Sequence, residues 1–287
     1  MASVSRAGYY RWLQPAVADQ EEEMRLREAI QNESLAHRFY GYRRITQALR
    51  NQGWEVNSKR VRRLMNEDGL LAVRRRKFIS TTEAGRVRMY PNLAGSLELN
   101  DVDQLWVADL TYIRLREQFV FAAVVLDAYS RRVVGWAVGE RLDTRLATAA
   151  LDRAIAVRQP APGLVHHSDG GKQYTSHPYV ERLEQIGAFS SLSRPGRPWE
   201  NGKCESFIGT LKKEQIDARK YRNLQELQHR MEEFIEGYYN PRRLHSALGY
   251  RSPEQFETQL WQERTGAGWK PAAMSFLRHE EIYPDAS

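Results

Sequence analysis

Between Gln104 and Val138 three strand-forming runs follow one another with nothing longer than a turn between them, and this crowding limits what the chain can become. Gln104 to Leu115 alternates, Phe119 to Asp127 is rich in Val, Phe and Ala, and Arg132 to Val138 follows the turn-like Ala128-Tyr129-Ser130-Arg131. Connections this short predict an antiparallel meander, because a parallel crossover needs a dozen or more residues. Asp143 to Val157 then steps Leu146, Ala150, Ala154 and Val157 at helical spacing, which predicts a helix over one face of the sheet. Pro160 and Pro162 end it. Leu164 to Ser168 reads as a short strand, His177 to Ile186 as a helix and Ala188 to Leu192 as another strand. Ser193 to Trp199 reads as a loop rich in Pro, Gly and Arg, and Asn201 to Gln215 as a further helix.

The resulting order, βββαβαβα, is that of the ribonuclease H type of α/β domain. In that topology the first and fourth strands lie side by side, so Asp109 and Asp169 are expected to approach one another while the later helix lays Glu205 across them. Asp169 stands in His167-Ser-Asp-Gly-Gly-Lys-Gln-Tyr174, and 35 residues separate it from Glu205. Three acids on three elements, with no Cys/His cluster beside them, predict an oxygen-only site for a hard divalent cation such as Mg²⁺. Two such ions, roughly 3.5–4 Å apart, suit in-line displacement at phosphorus. The single cysteine, Cys204, excludes an internal disulfide and a thiolate zinc site. Asp127 reads as a strand-end turn residue. His166 and His167, being adjacent, point to opposite faces of a strand and read as packing or hydrogen-bonding residues. Asn201, Glu205 and Lys212 share one helix face; Lys212 and its neighbour Lys213 either hold the phosphate of an incoming strand or are solvated helix lysines.

The formal net charge of +7 is confined to residues 1–100; the remainder balances. Arg38 to Arg88 holds fourteen basic against four acidic side chains, an electrostatic footprint for nucleic acid. Within it, Arg43 to Asn51 has helical period and Gly53 stops it. Asn57 offers an N-cap for a second basic helix through Met65. This predicts a helix-turn-helix over about 41–69 whose later helix enters the major groove. Arg43, Arg44, Lys59, Arg60, Arg62 and Arg63 are the expected DNA contacts. Arg74, Arg75, Arg76 and Lys77 are expected to touch phosphates. The acidic run Glu21-Glu22-Glu23 reads as a solvated helix face. Residues 1–78 are thus expected to form a basic helical module, 79–102 a linker, 103–220 the catalytic core, and 221–287 a C-terminal helix and tail. No apolar run approaches the roughly 20 residues that span a bilayer, so a soluble cytoplasmic protein is expected.

These residues resemble a known family. Trp106-Val-Ala-Asp-Leu-Thr-Tyr-Ile113, Val125-Leu-Asp-Ala-Tyr-Ser-Arg131, the Asp169 segment, Asn201-Gly-Lys-Cys-Glu-Ser-Phe207 and Leu211-Lys-Lys-Glu214 look like the core of the IS-three family of insertion sequence transposases, relatives of retroviral integrases. Phe39-Tyr-Gly-Tyr-Arg43 and the stretch Tyr239-Asn-Pro-Arg-Arg-Leu-His245 through Pro253 match as well. The resemblance implies a DDE triad of Asp109, Asp169 and Glu205, dependence on Mg²⁺ or Mn²⁺, and cleavage of double-stranded DNA at the element's ends. Strand transfer by a free 3′-hydroxyl would follow; Lys203, Lys212 and Lys213, on the Glu205 helix, are the DNA contacts expected beside it. It further implies a homo-oligomer of at least two subunits on DNA, localisation at the bacterial nucleoid, and an upstream reading-frame product as partner. Glu200 and Gly202 stand where the family often has Asp and Ala. Rival readings are a ribonuclease H-fold nuclease without strand transfer and a truncated DNA-binding inhibitor of transposition.

Overall fold

Alternation along Leu105–Arg114 (β1) sends Leu105 and Val107 to one face of a sheet and Trp106 and Ala108 to the other, and all four are buried. Phe119–Asp127 (β2) and Val133–Gly139 (β3) complete the expected antiparallel meander. Val165–Ser168 (β4) pairs parallel with β1, and Phe189–Leu192 (β5) parallel with β4. The strand order is β3-β2-β1-β4-β5, a mixed sheet of the ribonuclease H-like kind. The computed structural model describes residues 17–71, 90–116, 118–194, 196–218 and 220–265. The chain divides into two units, residues 1–80 and 81–287.

In the first unit, Val17–Ala36 (α1), Tyr42–Asn51 (α2) and Ser58–Glu67 (α3) bury Leu26, Ile30, Ile45, Leu49, Val61, Leu64 and Met65 against one another. Asn57 caps α3 by accepting the Lys59 N–H at 2.8 Å, satisfying a donor that the first helical turn leaves open. Gly53, at φ +92°, makes the turn that the sequence places there. Glu21 and Glu22 stay on the expected exposed face, though Glu22 is ion-paired, while Glu23 is drawn partly into the fold. Glu22 accepts from Arg60 at 2.9 Å and Glu23 from Arg63 at 3.0 Å, while Arg27 reaches Glu67 and Asp68, so ion pairs stitch α1 to α3.

In the second unit, one face of the sheet carries Trp106, Ala108, Ala123 and Val125 beneath Thr144–Arg158 (α4) and His177–Gln185 (α5). The opposite face carries Val107, Val120 and Val124 beneath Gly202–Leu211 (α6) and Leu224–Phe234 (α7). The core therefore runs past 220, where the sequence reading ends it: Leu227, Met231, Phe234, Ile235 and Tyr239 belong to the same apolar cluster as β1 and β2. Polar ties reinforce that packing. Asn240 pairs with both backbone groups of Val133, each at 3.0 Å, and Arg243 grips Glu214 through two nitrogens at 2.7 and 3.0 Å, both side chains being buried. Glu257, on Pro253–Thr265 (α8), accepts from Arg132 at 3.2 Å and Arg158 at 2.9 Å. No described helix is long and apolar enough to cross a membrane.

Gly135 on β3 lets α4 approach the sheet: a Cβ there would land on the Ala150 carbonyl oxygen and lie 2.8 Å from Ala154 Cβ. Both obstacles are rigid. Gly135→Ala is expected to lower stability by about 2 kcal/mol or more, read as the shift in the midpoint of urea unfolding.

Candidate active site

The site begins with the register of two strands. β1 and β4 run parallel with Ala108 opposite Ser168, so the next residue on each chain is an aspartate. Asp109 shares the face of Val107, the face that α6 covers, and α6 carries Glu205 in its first turn. Asp109 Oδ1 accepts the Leu110 N–H at 2.8 Å, and Asp169 Oδ1 accepts the Gly171 N–H at 3.1 Å. Burial, with the adjacent charges of Asp169 and Glu205, pushes Asp109 up to about 7, against the opposing pull of the Leu110 N–H and Lys212. Burial also raises Asp169, opposed by the Gly171 amide. The same three acids, after burial itself, hold the Cys204 thiol in its neutral form. They thus share one electrostatic neighbourhood. Among the described residues, no three His, Cys, Asp or Glu side chains form a ready-made metal cluster; Glu205 is exposed, and mutual repulsion opposes closer approach without a cation.

Residues 193–201 join β5 to α6 and are tied down at both ends. Ser193 donates its N–H to Ser168 O at 2.9 Å, beside Asp169, and its hydroxyl meets His167 Nε2 at 2.9 Å. Asn201 donates to Ala108 O at 3.0 Å, beside Asp109. Between them Glu200 accepts the Arg194 N–H at 2.8 Å, Arg194 Nε at 2.7 Å and Asn92 Nδ2 at 2.7 Å, which holds its carboxylate down to about 2. Glu200 is thus a structural cinch.

The rival acid and the histidines have structural partners. Asp127 is fully buried and accepts N–H groups from Asp103, Tyr129 and Ser130, which makes it the organiser of the β2–β3 turn. His166 meets the Tyr179 hydroxyl at 3.0 Å, and His167 lies between the Ser191 and Ser193 hydroxyls. Burial pushes the two imidazoles down to about 3 and about 4, so both are neutral.

Lys212 lies 4.4 Å from the centre of the Tyr112 ring and feels the charges of Asp217 and Asp109. Half-burial lowers its pKa. Lys203 is also half-buried, lowered first by burial and then by Arg131. Lys213 is exposed. Sequence reasoning missed Tyr112, Asn92 and the Glu214–Arg243 pair, whose partners lie far away along the chain.

In the N-terminal unit the expected DNA contacts divide. Arg60 and Arg63 are held by Glu22, Glu23 and Glu67. Arg43 and Arg62 instead flank the Tyr42 ring, at 5.5 and 5.6 Å from its centre, and Arg44 lies 5.5 Å from that of Tyr40. Lys59 is exposed at the start of α3. Arg74, Arg75, Arg76 and Lys77 lie outside the described residues.

Family models divide the chain in the same way. Residues 100–198 and 187–253 match models of the integrase core domain, and residues 20–78 match the HTH-like domain. The transposase for insertion sequence element IS904 of Lactococcus lactis is 39% identical over 220 residues, 76% of this chain and 87% of that protein. The insertion element IS600 uncharacterized 31 kDa protein of Shigella sonnei is 37% identical, covering 90% of this chain and 97% of its own length. Transposase InsF for insertion sequence IS3A of Escherichia coli is 32% identical, over 89% and 91%. A simian T-cell lymphotropic virus intasome in complex with PP2A regulatory subunit B56 gamma aligns with a TM-score of 0.46 at 16% identity, over 79% of this chain and 73% of that one. The HTLV-2 integrase catalytic core domain in complex with magnesium aligns at 0.42 and 15%, over 54% and 95%. Fold and matching models define an integrase core behind a helix-turn-helix-like unit. The chain belongs to the IS-three family of insertion sequence transposases.

The raised Asp109 has a consequence for stability. Its pKa in the folded chain, about 7, exceeds the ordinary 3.8, so its contribution to stability is full below about pH 4 and is lost as pH rises through 7. In EDTA at pH 8.5, Asp109→Asn is expected to be more stable than wild type by roughly 2–4 kcal/mol. Denaturant titrations across pH should show the difference vanishing in acid.

Proposed function

We propose that this chain cuts and joins DNA at the ends of an insertion sequence, with Asp109, Asp169 and Glu205 as the acids that bind divalent metal. The observation that carries the reading is the register of β1 and β4, which brings two aspartates to adjacent strands beneath the helix bearing Glu205. The donor set fits Mg²⁺ or Mn²⁺: it is all oxygen, it is deficient in positive charge, and both nearby histidines are engaged elsewhere. When bound, a pair of such ions supplies an activated hydroxyl nucleophile and a stabilised leaving oxygen. The protein does the rest. Asn201 fixes the start of α6 against β1, so Glu205 is presented from a held helix end. Lys212, steadied over Tyr112, offers its ammonium to a DNA phosphate next to Asp109. Lys203 and Lys213 extend that basic margin along the same segment.

We further take Arg43, Arg62 and Lys59 as groove and phosphate contacts, with Arg44 beside them and Arg74 to Lys77 adding charge. Arg60 and Arg63 serve first to fasten α1 to α3. The enzyme would act in the cytoplasm, at the nucleoid, on double-stranded DNA, as a homo-oligomer of at least two subunits and together with an upstream reading-frame product. The match to the HTH-like domain and to an integrase core supports the DNA-binding part of this. The domain plan that goes with it keeps residues 1–78 as the binding module, cuts the expected 79–102 linker short because Asn92, Leu93, Ala94 and Leu99 bond to or pack on the core, and takes the catalytic unit through α8.

Glu205→Gln is expected to abolish cleavage and joining of end-containing duplexes in Mg²⁺ while end binding in a gel shift stays within about twofold of wild type; parallel loss of binding would contradict a metal-ligand role. Products that are hydrolysed but never joined would instead assign a nuclease. For the N-terminal unit, Arg62→Ala should weaken DNA binding and flatten the salt dependence of log K by about one unit of slope. Arg63→Ala should lower the unfolding midpoint and leave that slope unchanged.

A further inference from the structure

We propose that Trp199 is a stacking platform for an unpaired base of the DNA strand end, held at the rim of the acidic site; the inference rests on the transposase reading above. Trp199 is 67% exposed, although it sits in the middle of a segment whose neighbours are held. Glu200, next to it, is cinched by Arg194 and Asn92, and Asn201, one residue further, is buried and bonded to Ala108 O. Glu200 also donates its N–H to Arg197 O at 3.1 Å, closing the turn that contains the indole. A large apolar ring left in water on a fastened turn is a preorganised binding surface: little conformational freedom remains to be lost when a flat ligand covers it.

Position and charge identify the ligand. The segment is tied to Ser168 beside Asp169 and to Ala108 beside Asp109, so a group stacked on Trp199 lies at the edge of the acids. Arg194 and Arg197 stand on the same segment; both pair with Glu200 yet keep substantially exposed side chains with further N–H donors, and Lys203 follows on α6. An indole among guanidinium groups suits a nucleobase with its flanking phosphates, and stacking of this kind accepts any base because each has a π-face. Within a duplex both faces of an internal base are covered by its neighbours; at the end, a base freed from its pair can turn onto a ring beside the site. Trp199 would therefore capture a frayed base and hold the end open for attack at the adjoining phosphate.

The test uses the full chain with Mg²⁺ and duplex oligonucleotides carrying the terminal sequence of the element that encodes it. One set is fully paired and one has its last two base pairs mismatched. Wild type should join both. Trp199→Ala should lose about tenfold or more on paired ends and return to within about threefold of wild type on mismatched ends, while Trp199→Phe keeps most activity on both. A terminal 2-aminopurine should be quenched by wild type and not by Trp199→Ala. Equal loss on both substrates, no loss on paired ends, or a DNA-independent change in oligomeric mass would overturn the inference, the last by assigning the indole to a protein contact. If wild type joins neither substrate, alone or with the upstream reading-frame product added, the transposase reading itself falls and takes this one with it.

Discussion

Four residues of parallel pairing between β1 and β4 organise the catalytic unit. Parallel strands leave a ladder at the same end, so the aspartates that follow Ala108 and Ser168 emerge together, and nothing needs to bend to bring them close. The ladder is too short to persist on its own backbone bonds. It is held by apolar layers on both faces and, at its exit, by the hydroxyls of Ser191 and Ser193 on either side of the His167 ring. The cost of the arrangement is concentrated in Asp109, whose burial beside like charge raises its affinity for a proton. A cation at the proposed site would relieve that side chain.

Much of this was legible in the sequence, and the legible part shares a cause. Alternation along 104–138, the Asn57 cap and the turn role of Asp127 all rest on interactions within a few residues, which spacing alone reveals. The approach of Asp109 and Asp169 needed one further step, from element order to strand neighbourhood. What stayed hidden depends on partners far apart in the chain. Arg60 and Arg63 read as nucleic-acid contacts because composition records charge and not its counter-charge; Glu22 and Glu23 sit 38 and 40 residues away. The Glu214–Arg243 grip and the entry of Met231 and Tyr239 into the core are invisible for the same reason.

Tyrosine and arginine recur together in the first unit, and the pairing sorts its basic side chains. A guanidinium lying against the face of Tyr42 keeps its charge and most of its donors while losing much of its freedom. One clasped by two carboxylates, as Arg63 is, has its charge countered and two of its donors engaged within the fold. Net charge therefore overstates the number of cations available to a polyanion. Cations whose charge is not already countered by a carboxylate have the most to gain from phosphate.

The apolar layer beneath β1 and β2 is finished by side chains that leave the ribosome late, Leu227 to Tyr239, and is then locked by Asn240 and Arg243. All three acids have emerged before that layer can close. During synthesis the nascent polypeptide thus carries all three acids before the apolar layer that backs them is complete. Premature termination after α6 would leave the three acids in a polypeptide that lacks the Leu227 to Tyr239 share of its core.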